Sequence, residues 1–388
     1  MTAVPGDVDV DRGPPLSVPL RHFVAALGFL LAGAALGVAD AFGVVPGLAR
    51  LAHVHLLLVG FVCLTIAGAM TQFVPVWSGT SLHSRRLARA QLWLVGVGLL
   101  GFVAGLLTGR PILLPFFGGL VLLGFWTLAY NVGRTLATAR PLDVTERHFA
   151  AALAFFVALT TLGLALAVGF TRPVFGDALS RPAVVAAHAT LAVFGAVLTT
   201  VFGALYQLVP MFGQTALDDV DHRLQRVESV CYPVGVVVLA AGRLVGSAPL
   251  ARVGAVGLLV GVLAVLVVLA RRLRDARAER TPMLVRYALL TPITLGWALP
   301  TLPAWLRDPL APGALFGAPG TAHLLALVVL LVLVGTLYHV VPFLVWIHRY
   351  SDLLGLEDVP MIDDLYEARL ATVDLVLVVA LHDRRVDI

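Results

Sequence analysis

The sequence predicts an all-α integral membrane protein: a polytopic bundle of about 11–12 transmembrane helices in three pseudo-symmetric four-helix arcs, the last of them incomplete. Three observations predict it. Of 388 residues, 59% are apolar and only 13% are Asp, Glu, Lys or Arg, about half the charged share of a soluble domain. The mean hydropathy is +0.94. Uncharged runs long enough to cross a hydrocarbon core about 30 Å thick recur along the whole chain. A soluble enzyme is excluded. All 27 basic residues are Arg and the formal charge is +4, but the Arg residues sit between the apolar runs, as membrane topology requires, so no nucleic-acid partner follows.

Residues 1–20 are expected to be a disordered cytoplasmic N-terminus and residues 21–388 a single transmembrane domain. Ten runs qualify as spans: Phe23–Val45, Leu51–Trp77, Ala90–Gly109, Ile112–Gly133, Phe149–Phe170, Ala183–Phe212, Ser229–Val245, Val253–Ala270, Tyr287–Leu306 and Thr321–Ile347. An eleventh, Leu370–His382, contains Asp374 and is too short to cross. The first run is read as a span rather than a cleaved signal, because it exceeds the 7–15 apolar residues typical of a signal core. Between these spans, eighteen Arg fall on the N-terminal side and seven on the other, which places the N-terminus in the cytoplasm. The absence of Lys and the single Asn131 suggest a prokaryotic, GC-rich coding bias. Cys63 and Cys231 lie in apolar runs with no CxxC partner and read as small core residues.

Three segments repeat, giving units 21–140, 147–274 and 286–388. Arg21-His22-Phe23 returns as Arg147-His148-Phe149 and, more weakly, as Arg286-Tyr287-Ala288. The following helix begins Ala52-His53, Ala187-His188 and Ala322-His323, and in each a Gly (Gly68, Gly203, Gly335) stands seven residues before a Pro (Pro75, Pro210, Pro342). Four-helix units share one orientation, unlike inverted transporter repeats. The third unit lacks its last helices.

These repeated helices carry the candidate chemistry. Histidine inside a span is costly and faces protein, a cofactor or a cavity. His53, His55, His188 and His323 all lie near the outer helix ends. Counting back from the shared Pro at about 1.5 Å per residue puts His53 level with His188, and His55 near the level of His323. Residues two apart on an α-helix point about 200° apart, so His53 and His55 address different neighbours. That suits a helix standing between two sites, donating one imidazole to each. His22 and His148, at helix starts beside Arg, read as solvated caps. Asp40 is the only acid within an expected span. Near the other helix ends, Gln72, Gln207 and His339 precede the Pro by three residues, with Tyr206 and Tyr338 beside them. This inner polar ring reads first as a set of partners for carbonyls freed by Pro, with a proton or quinone entrance as the alternative.

Histidines on the second, sixth and tenth of twelve helices resemble subunit I of the haem–copper oxidases and nitric oxide reductases. His53-Val54-His55 with Gly60, Gly68 and Pro75 resembles their HxH helix. The same helix is similar to that of NnrS-type haem proteins, which read HxHE, then G, then VPxWTG: His53, His55, Gly60 and Val74-Pro75-Val76-Trp77-Ser78-Gly79 match, while Leu56 replaces the Glu. There are departures from the oxidases. Their HxH lies on the tenth helix, their His-His copper pair has no counterpart on the seventh helix here, and Ala192 stands where a Tyr would follow His188. The resemblance therefore implies haem binding more than oxygen reduction. It implies haem b held by His55 and His323, and His53 and His188 turned to a second haem or copper. It implies electron transfer or nitric oxide handling in the bilayer with a quinone or respiratory subunit as partner. The alternatives are a transporter or channel lined by the His and Gln residues, or a cofactor-free remnant of an oxidase.

Overall fold

The computed structural model describes residues 15–176, 179–278, 281–354 and 356–383. Among them helix is the only regular secondary structure apart from two isolated bridges. Ten helices are long and apolar enough to cross a membrane: α1 (Ser17–Ala41), α2 (Ala49–Ser78), α3 (Arg85–Leu107), α4 (Leu113–Thr138), α5 (Val144–Val168), α6 (Arg181–Gly213), α7 (Asp219–Leu244), α8 (Ala248–Arg274), α9 (Pro282–Arg307) and α10 (Ala322–Tyr350). Each expected run corresponds to one of them. The eleventh run is α11 (Ala368–Asp383), a 16-residue helix.

Two compact units are present, one of residues 1–200 with 243–246, the other of residues 201–242 with 247–388. In the first, α3 and α4 pack closely because Gly removes side chains from their crossing. A Cβ on Gly98 would meet Val121 N and Phe117 O, and one on Gly124 would meet Val95. Small residues at helix crossings are the usual means of close approach in a bilayer, where lipid offers no hydrophobic drive for association. The α2–α3 connection is held by the chain's single Asn: Asn131 Oδ1 accepts from Ser84 N at 2.9 Å and its Nδ2 donates to Ser84 O at 3.0 Å. An Asp143–Glu146 capping box starts α5, satisfying two amides that the helix cannot.

In the second unit α7 and α8 are joined by a glycine seam. Gly235 lies against Leu258 N, Gly254 against Leu239 N, and Gly261 against Tyr232. The 308–321 loop is pinned by two buried indoles, Trp297 Nε1 donating to Phe316 O at 2.7 Å and Trp305 Nε1 to Ala314 O at 2.6 Å. The helix α11 is anchored by Arg286, which donates to Ala371 O at 2.8 Å and pairs with Asp374 at 2.6 Å. Asp374, which disqualified this run as a span, is the residue that docks it.

Three expectations need correction. The N-terminal region is already helical from Ser17, since Pro19 in the first turn needs no amide partner; residues 1–14 lie outside the described residues. Helix α7 begins at Asp219 rather than near Ser229, because the charges of its first turns are neutralised by α8. There Asp221 pairs with Arg271 and Arg272, each at 2.9 Å. Finally, α2 and α6 are not uniform α-helices. Residues Leu56–Cys63 and Leu191–Leu198 form π-helical turns, whereas α10 is α-helical throughout. A π turn closes on the fifth rather than the fourth residue, so it uses more residues per unit length. The His–Pro spacing is 22 residues in α2 and α6 but 19 in α10, and a count at constant rise does not hold through the π turns. In sequence, His323 follows an Ala as His53 and His188 do.

Candidate cofactor site and inner polar cluster

The outer histidines of the first unit are set by the backbone of the preceding helix. His53 Nδ1 lies 2.7 Å from Gly33 O of α1, and His188 Nδ1 lies 2.8 Å from Leu159 O of α5. A carbonyl only accepts, so each Nδ1 carries the proton and each Nε2 is left with its lone pair. Glycine allows the approach: a Cβ on Gly37 would come within 2.5 Å of His53 Cε1, and one on Gly163 within 3.0 Å of His188 Cε1. Both rings are half-buried.

His55 turns elsewhere, as the 200° argument required. Its Nδ1 donates to Leu51 O at 2.8 Å, and its ring lies 5.2 Å from that of Phe102 on α3. It is also within electrostatic reach of His188. Both residues belong to the first unit. Where α2 has His55, α6 has Thr190, whose Oγ1 accepts from Arg243 Nη1 at 2.7 Å. Arg243 is 3% exposed, a buried cation with no counterpart in the expected site. In the second unit His323 is exposed in the first turn of α10.

The packing beneath these histidines is duplicated. Gly60 meets Phe29 where Gly195 meets Phe155. His22 Nδ1 bonds Val18 O at 2.8 Å where His148 Nδ1 bonds Val144 O at 2.7 Å. Neither of the last two is the solvated cap expected of it. Both are buried, and His22 Nε2 also reaches Gln91 Nε2 at 3.3 Å. Helix starts beside Arg suggested solvent, but the i−4 carbonyl satisfies the imidazole and lets it pack.

The inner ring is less uniform than its spacing implied. Gln72 is 4% exposed and its Oε1 has no partner within the protein. Gln207 is half-buried. The His339 ring sits 3.9 Å from Phe212, and Tyr338 lies beneath the Arg286 guanidinium at 4.7 Å. Tyr206 faces Glu228 of α7, a residue with no solvent exposure that also faces Tyr232. Asp40 is therefore not the only acid within a spanning helix. Glu228 escaped the sequence reading because it stands one residue before the expected start of that span. Its signal was present, since Asp221, Gln225, Glu228 and Tyr232 follow a 4-3-4 spacing that lines one helix face.

Among the described residues no group of three or more His, Cys, Asp or Glu side chains is placed to hold a metal ion. Comparison of the chain with protein-family models and with curated proteins gave no match.

Proposed function

We propose that the chain is a polytopic membrane haem protein, akin to haem–copper oxidase subunit I or NnrS-type proteins, serving electron transfer or nitric oxide handling. The observation that carries this reading is the paired tethering of His53 and His188. Each fixes Nδ1 on a backbone carbonyl and presents Nε2 as a free donor, which is how protein-bound imidazoles are oriented toward iron. Haem, when bound, supplies one-electron chemistry and an iron that takes nitric oxide. His55 and His188 are the ligands we favour, and His323 and His53 are the remaining candidates of the outer layer. The duplicated contacts under α2 and α6 support the reading of a repeated four-helix unit. The Arg distribution supports an N-terminus on the cytoplasmic side, with a quinone or respiratory subunit as electron partner.

The test is a reduced-minus-oxidised spectrum with iron analysis on protein purified after expression with haem supplied. A haem band is expected. It should be lost on His55→Ala and His188→Ala while the protein still inserts, and His323→Ala shows whether α10 contributes. A colourless, iron-free wild-type protein overturns the proposal. The buried Glu228–Tyr206 pair favours one second reading, a cofactor-free transport path, and that colourless outcome would select it.

A further inference from the structure

Helix α7 carries a polar face that runs from its charged first turns into its apolar part, and nothing in the haem reading uses it. Asp221, Gln225, Glu228 and Tyr232 lie on this face, about 16 Å from first to last at helical rise. Such a stripe is costly in a bilayer unless it works. Where α7 begins, on the side of the inner ring, stands a charged cluster. Asp218 is half-exposed and pairs with Arg271 and Arg272, while Asp221 behind it is wholly buried between the same two guanidinium groups. Further in, Glu228 faces Tyr206 of α6 and Tyr232. Between Arg272 and Tyr206 is a cavity of about 10 Å³, otherwise apolar and lined by Val209, Pro210, Val268 and Leu269 among others. That is room for about one water. The Gln225 Nε2 donor, on the same face, is buried without a protein partner.

We propose that this face is a proton path leading from the Asp218–Asp221 surface, where α7 begins, to Glu228 in the interior. The species is a proton because a space of one water admits no hydrated cation. In each transfer a water beside Arg272 gives a proton to the Tyr206 oxygen as the Tyr206 hydroxyl gives its own to the Glu228 carboxylate. The water is recharged from Asp221 and the surface, so nothing is oxidised or reduced and no heavy-atom bond is exchanged. Among the described residues the charged and titratable groups facing the path include Tyr206 from α6, Arg271 and Arg272 from α8 with Asp275 paired to Arg272, and Asp218, Asp221 and Tyr232 around α7 itself. The path depends only on α6, α7 and α8, so it stands whether or not haem is bound.

The experiment is time-resolved infrared spectroscopy of the full-length protein in lipid nanodiscs after a photoacid pH jump. A carboxyl band change that Glu228→Gln removes is expected. Its rate should fall about tenfold in Tyr206→Phe and in Asp221→Asn, and remain unchanged in Arg274→Gln, whose side chain is largely exposed. Because Asp221→Asn also weakens the ion cluster, Gln225→Leu serves as the second variant: it leaves the cluster intact and should slow the rate if this face carries protons. The proposal is overturned if no Glu228-dependent band responds to the jump, or if the rate is unaltered in both Tyr206→Phe and Gln225→Leu.

Discussion

Adding a methyl group at Gly37 should disturb the outer histidine site more than adding one at Gly163, although the two glycines occupy matching places behind His53 and His188. The new Cβ of Gly37→Ala would lie 2.5 Å from His53 Cε1 and 2.6 Å from its Nδ1. To reach ordinary contact near 3.5 Å the ring must move by roughly 1 Å, and the 2.7 Å bond to Gly33 O cannot survive that shift. Overpacking costs about 1–3 kcal/mol and the lost hydrogen bond about 1 kcal/mol. Against these, exchanging Gly for Ala in a helix contributes about 1 kcal/mol of stability. The balance is a net loss of about 2 kcal/mol. At Gly163 the nearest atom, His188 Cε1, is 3.0 Å away, a few tenths of an ångström too close, and the helix-propensity gain offsets the crowding to leave roughly no change. Thermal unfolding of the purified protein in detergent, with the haem spectrum recorded on the same samples, checks both the order and the site. Equal melting temperatures for the two variants, or a larger drop for Gly163→Ala, would refute the packing argument.

Further outcomes follow from other contacts. Gly235→Ala would drive a methyl into Leu258 N, a backbone atom that cannot turn aside, and should cost about 2–3 kcal/mol in thermal unfolding, while Gly96→Ala, with open space around it, should be neutral or slightly stabilising. Asp374→Asn should release α11 by leaving the buried Arg286 short of its carboxylate, at a cost of about 1–3 kcal/mol, read out as faster proteolysis after α10 with the ten spans intact. Asp218 is held below the ordinary carboxylate range by the backbone N–H of Asp221 and then by Arg271. Its contribution to stability is therefore full above the ordinary Asp range near pH 4. It is lost as pH falls through the lowered folded value, so a melting-temperature profile should lose part of its acid slope in Asp218→Asn.

The ten runs were legible because a hydrocarbon core sets a minimum length and excludes charge, and each met both conditions. The expected total of about 11–12 was not reached among the described residues, the 16-residue α11 being too short to cross. The helix ends were not legible. A hydropathy pattern treats charge as an end marker, whereas Asp221 and Glu228 lie inside α7 with partners on α8 and α6. The divergence of His53 from His55 could be derived from helical geometry alone, and the structure agrees, sending one to α1 and the other toward α3. Depth could not be derived that way, because a count along the chain assumes constant rise and the π turns of α2 and α6 break it. Nor could sequence reveal the carbonyl partners of His53 and His188. Gly33 and Leu159 are matched by place rather than by type, since a backbone oxygen is supplied by any residue.

The glycine seam of α7 and α8 bears on how this molecule can move. With main-chain atoms of one helix seated in the glycine notches of the other, neither can slip or roll without prising apart a close backbone approach. Residues 228–261 of this pair must therefore travel as a single plank, and any working stroke that shifts Glu228 has to carry its neighbour with it.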